Sequence, residues 1–116
     1  MEVMMEITKV GTADLLIKIG VRADLLGFEY MVDILEICLQ DPNLIHGGMM
    51  KLYKMVSAKH NVSYINVESR IRNAIEITFE QGDTEELYRL FGNSINKDKA
   101  KPTTKQFIAT ILWYLR

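Results

Sequence analysis

MMKLYKMVSAKHNVSYINVESRIRNAIEITFEQ, residues Met49 to Gln81, is the stretch on which the fold turns. Gly47-Gly48 makes a break, after which Met49, Leu52, Tyr53 and Val56 recur at i, i+3, i+4 and i+7. That spacing predicts a helix to about Lys59. His60 to Ser63 reads as a short polar turn, with His60 a polar turn residue. Ser63 is suited to cap a following helix from Tyr64 to about Gln81, which stops at Gly82. At about 100° per residue, Val67, Ile71, Ala74, Ile75 and Thr78 cluster on one side of it, and Ile65, Asn66, Ser69, Arg72, Asn73 and Glu76 project from the other. The first set packs; the second can touch something. Two helices joined in this way, over about residues 49–81, form a helix-turn-helix candidate.

The flanking segments are helical too, and no period-2 alternation is long enough for a strand, so the chain reads as all-α. Thr12 is suited to cap a short helix through Ile19, ended by Gly20. Phe28, Met31, Leu35, Cys38 and Leu39 lay one apolar stripe along a helix from about Asp24 or Gly27 to Gln40, which Asp41-Pro42 terminates. Asp83, Glu85 and Glu86 open a fifth helix with Leu87, Leu90 and Phe91 on its apolar face and Gly92 at its end; acids in a first turn favour the positive helix end and need no catalytic role. Asn93 to Lys101 is a polar nine-residue loop carrying Lys97, Lys99 and Lys101. Thr103 with Gln106 forms a capping box for the last helix, whose Phe107, Ile108, Ile111, Leu112 and Leu115 make a broad buried face. Trp113 and Tyr114 suit either the core or a subunit contact. Residues 1–11 show no clear period, and residues 12–116 read as a single helical domain.

Composition narrows the function classes. The 116 residues, 48% hydrophobic, suffice for one domain with one core. No apolar run approaches the roughly 18 to 20 residues of a membrane helix, and Glu2 and Glu6 interrupt the place of a signal peptide. A cytoplasmic protein with no membrane partner is expected. Cys38 has no second cysteine to pair with and reads as a small buried hydrophobe rather than a reactive thiol; with only His46 and His60 beside it, there is no zinc set. A phosphate-binding glycine loop, a serine elbow and a nucleophile partner for either histidine are all missing, which argues against an enzyme and its cofactors. Charge is more telling. Met1 to Met50 carry 3 Lys or Arg against 8 Asp or Glu, a balance of −5, whereas Lys51 to Arg116 carry 11 against 7, a balance of +4. The basic half contains the second helix of the motif, as a phosphate-bearing partner would favour.

An α-helix fits the major groove of duplex DNA, and a helix-turn-helix presents there the exposed N-terminal half of its second helix. Asn66, Glu68, Ser69 and Arg72 occupy that half. Arginine bonds guanine at two points, asparagine does so with adenine, glutamate accepts from cytosine, and Ile65 suits a thymine methyl. Arg and Glu on an outer helix face also suit plain solvation. Lys51, Lys54 and Lys59 on the first helix of the motif, and Lys99 and Lys101 on the long loop, are compact charges fitted to phosphate contact, which positions a protein without reading sequence.

The segments Ile19-Gly20-Val21, Gly27-Phe28, Leu52-Tyr53, Arg72 with Ala74-Ile75-Glu76, Leu90-Phe91-Gly92, Lys99-Ala100-Lys101-Pro102-Thr103 and Phe107-Ile108-Ala109 resemble the C-terminal effector domain of the stage-zero sporulation response regulator of endospore-forming bacteria. The resemblance runs from about Thr12 to Arg116, and the Leu-Phe-Gly and Lys-Ala-Lys-Pro-Thr blocks keep their mutual spacing. It implies a six-helix domain whose third and fourth helices form the helix-turn-helix, which binds promoter DNA in tandem copies and touches the sigma subunit of RNA polymerase. Two departures stand out. The family domain normally follows a phosphorylatable receiver domain, and about eleven residues precede the similarity here, so the expectation is a standalone effector or an excised piece. Where the family carries arginines on its fourth helix, this chain has Asn66 and Ser69; Glu68 and Arg72 match. Losing bidentate guanine contacts, at about 1–3 kcal/mol each, changes or weakens sequence preference. The competing expectation is an interaction module that has lost DNA and pairs with a related regulator or with polymerase.

Overall fold

The computed structural model describes residues 11–92, 95 and 101–116. Among them six α-helices follow one another: α1 over residues 11–18, α2 over Leu26–Gln40, α3 over Met49–His60, α4 over Tyr64–Gln81, α5 over Thr84–Phe91 and α6 over Thr104–Leu115. A 3-10 turn, Pro42–His46, links α2 to α3. Hydrophobic periodicity carries no sign of that turn, whose own Ile45 is buried.

Local chemistry sets most of the boundaries. Gly20 stands at a φ of +103°, and its N–H donates to the Ile17 carbonyl while that of Val21 donates to Leu16. That pair of bonds is a Schellman end, and Leu16 and Val21, both buried, supply the apolar contact that accompanies it. Ser63, Asp83 and Thr103 cap α4, α5 and α6, each accepting from the backbone N–H three residues on. At Thr103 the full capping box forms, because the Gln106 side chain accepts the Thr103 N–H in return. Thr12 departs from expectation. Helix is already under way at residue 11 and Thr12 is buried within it, so it does not occupy the half-in position that a cap needs.

α2 lies at the centre, packed on α3, α4 and α6, and α4 in turn packs on α3 and α6. Gly27, the second residue of α2, is buried where that helix meets α4; a Cβ there would stand 2.2 Å from the Arg70 carbonyl oxygen. Met31, Leu35 and Cys38 are fully buried, with Phe28 and Leu39 packed at the margin. Burial, with the Asp41 carboxylate adding to it, pushes the Cys38 thiol up to about 11. It therefore stays protonated and unreactive at neutral pH. At the other end of the core Phe91 and Phe107 stack with centroids 4.8 Å apart, and Phe79 meets both edge-on. Phe107, Ile108, Ile111 and Leu112 are buried as expected, while Leu115 is half-buried. Trp113 and Tyr114 are not core: they are 72% and 50% exposed. No helix among the described residues is long and apolar enough to cross a membrane.

Candidate nucleic-acid interface

The pairing of α3 with α4 rests on the turn between them. His60, expected in that turn, is the last residue of α3; Asn61 follows it in the left-handed conformation, φ 55° and ψ 46°, which asparagine tolerates better than most residues. The N–H groups of Asn61 and Val62 both close on the Ser57 carbonyl. Two residues after Asn61, Ser63 begins the next helix, its hydroxyl accepting from Asn66 N–H at 3.0 Å. Val67, Ile71, Ala74, Ile75 and Thr78 are all buried on the inner face of α4. Thr78 satisfies its hydroxyl by donating to the Ala74 carbonyl at 2.7 Å.

The opposite face of α4 is open along its N-terminal half. Ile65 is 61% exposed, Arg72 and Asn73 are exposed, and Asn66, Glu68 and Ser69 are half-exposed. These groups are not idle. Arg72 Nη1 donates to Glu68 Oε1 at 3.4 Å across one helical turn, a surface pair contributing a few tenths of a kcal/mol at most. Ser69 donates its hydroxyl to the Asn66 carbonyl. One turn beyond Arg72, Glu76 accepts from Lys101 Nζ at 2.8 Å, and that bond with its charge holds the Glu76 carboxyl below the usual carboxylate range. Acid and base therefore alternate along this ridge: Glu68, Arg72, Glu76, then Lys101 from the segment leading into α6. The sign of the shift means that the Lys101–Glu76 tie is present above the ordinary glutamate pKa and lost as pH falls through the lowered value.

The basic residues expected at phosphates divide three ways. Lys51 and Lys54 are exposed on the outer side of α3, with Lys54 Nζ 5.4 Å from the centroid of the Tyr64 ring. Lys101 is brought beside α4, though only 24% of its side chain is exposed. Lys59 points to the protein itself, Nζ standing 2.7 Å from Asp33 Oδ1, with 57% of the side chain still exposed. Lys99 lies outside the described residues, as does Lys97. The pairings of Asp33 and Glu76 carry no signal that periodicity could find, because their partners lie 25 to 27 residues away. Among the described residues no group of three or more His, Cys, Asp or Glu is placed to hold a metal ion.

A helix capped by Ser63, anchored by one apolar stripe and presenting a polar face beyond a tight turn, is the arrangement of a helix-turn-helix DNA-binding domain. The chain matches the family described as "Sporulation initiation factor Spo0A C terminal" over residues 12–115, nearly its whole length, and belongs to that family. It is a DNA-binding effector domain of a sporulation transcription regulator and not a catalytic domain.

Proposed function

We propose that residues 12–116 act as one effector unit that lays the N-terminal half of α4 in the major groove. Arg72 and Glu68 contact base edges there, with Ile65, Asn66 and Ser69 facing the same groove. Lys51 and Lys54 on α3, and Lys99 and Lys101 ahead of α6, meet flanking phosphates, with Lys59 a further contact if it leaves Asp33. The observation that carries this reading is the exposed ridge itself: Val67, Ile71, Ala74 and Ile75 on α4's inner face are buried while Ile65 and Arg72 are exposed. Reading a guanine obliges Arg72 to exchange its surface pair with Glu68 for a bidentate contact. That exchange costs little, because the pair is solvated.

Two copies arranged in tandem or as a homodimer on the DNA, in the cytoplasm, and a contact with the sigma subunit of RNA polymerase complete the proposal. Family membership supports both, and one subunit, whose basic excess is a modest +4 confined to residues 51–116, binds weakly alone.

The test is fluorescence anisotropy on duplexes selected from a random pool. With three to five phosphates neutralised per subunit, log affinity falls with log salt at a slope of about −3 to −4.5. Arg72→Ala costs about 1–3 kcal/mol on the selected sequence and relaxes the preference at one base pair. Lys51→Ala with Lys54→Ala lowers the salt slope by about 2 and weakens all sequences alike. A selected duplex that binds Arg72→Ala as tightly as the parent takes α4 out of the groove.

A further inference from the structure

Asp33 lies mid-way along α2 with its side chain 4% exposed, and both of its oxygens are taken by the end of α3. Lys59 Nζ donates to Oδ1 at 2.7 Å, and His60 Nε2 stands 2.5 Å from Oδ2. The His60 ring is further held by Tyr30, which meets it edge-on with centroids 5.0 Å apart. An ionised carboxylate is costly to bury even when paired, so such a cluster is weak evidence for stability; its clearest use is to enforce one arrangement of the elements it joins. Here the elements are α2 and the final two residues of α3. Only Asn61, Val62 and Ser63 separate this point from the first residue of α4.

We propose that Asp33 is a positioning residue for DNA recognition: by gripping Lys59 and His60 together it fixes where the turn delivers α4. The inference rests on the reading of α4 as the groove helix. Around the cluster, α2 contributes Tyr30 and the carboxylates of Glu29 and Glu36, and α3 contributes Lys59. Asp33 foremost, with Glu36 and Glu29 beyond it, holds Lys59 in its charged form.

The experiment compares the parent chain with Asp33→Asn and His60→Phe by amide hydrogen exchange and by anisotropy on duplex DNA at fixed pH and salt. Asp33→Asn speeds exchange at Asn61 and Val62 about tenfold while leaving the α6 amides in place, the mark of local rather than global opening. If the docked turn falls to about a tenth of the population, DNA affinity drops about tenfold. His60→Phe keeps a ring against Tyr30 and removes only the bond to Asp33 Oδ2. It too speeds exchange at Asn61 and Val62 and weakens DNA binding, by less than Asp33→Asn because the Lys59 bond to Asp33 remains. Lys59→Met, read by hydrogen exchange alone because Lys59 is also a proposed phosphate contact, replaces Asp33→Asn should that variant fail to fold. Equal acceleration in the turn and in α6, or an unchanged turn, would overturn the proposal. A parent that binds no duplex, while Asp33→Asn still loosens the turn alone, removes α4 from the groove and leaves the grip of Asp33 on α3 intact.

Discussion

Gly27→Val yields a chain that does not fold, and Gly27→Ala loses more than about 3 kcal/mol. An added Cβ would lie 2.2 Å from the Arg70 carbonyl oxygen and 2.8 Å from the Ala74 Cβ. Ordinary overpacking of a core costs about 1–3 kcal/mol, because flexible side chains shift to make room. Here the obstacle is backbone, and Arg70 cannot move without carrying α4 off α2. The gain in helix propensity from glycine to alanine, about 1 kcal/mol at most, is too small to compensate. For a domain whose whole stability is of the order of 5–15 kcal/mol, valine exceeds what the fold can absorb. Urea denaturation followed by circular dichroism measures the alanine variant directly. An alanine variant as stable as the parent would mean that α2 and α4 do not meet at Gly27.

Phe107→Ala loses about 3–5 kcal/mol in the same measurement, the range for removing a buried phenylalanine. Phe107 is fully buried, stacks on Phe91 at an interplanar angle of 6° and receives the edge of Phe79. One ring thus joins α4, α5 and α6. The eight-residue α5 buries just Leu87 and Phe91, and a helix that short has little stability of its own. Amides of α5 therefore exchange fastest in the variant, ahead of those in α2. Phe107→Leu, which fills much of the volume, recovers about half of the loss. A uniform loss of protection across all helices would show that α5 is held by something other than this stack.

What the sequence discloses here is what neighbours on the chain decide. The five inner residues of α4 follow from a 3.6-residue period, and Ser63, Thr103 and Gly20 act through groups within five positions of themselves. Thr12 misled because a threonine before an apolar run looks the same whether it caps a helix or sits inside one. His60 misled for a related reason: a polar residue beside a turn carries no trace of a carboxylate 27 positions earlier. The exposed ridge of Ile65, Glu68 and Arg72 was legible from periodicity. Its internal pairing was legible only for Glu68 with Arg72, one turn apart; the tie from Glu76 to Lys101 depends on how α6 returns to α4. Gly27 was visible as a shared residue with no stated reason, since a glycine needed for close approach has no period at all.

The placement of Trp113 bears on how this domain is best observed. It is the chain's single tryptophan, 72% exposed at the end of α6, with the Arg116 guanidinium 5.8 Å from its ring. A hydrated indole in the native state emits much as it does in the denatured one, so intrinsic fluorescence under-reports unfolding. The same property makes it a clean reporter of company: a blue shift on titration with a second macromolecule signals that the tip of α6 has become dry.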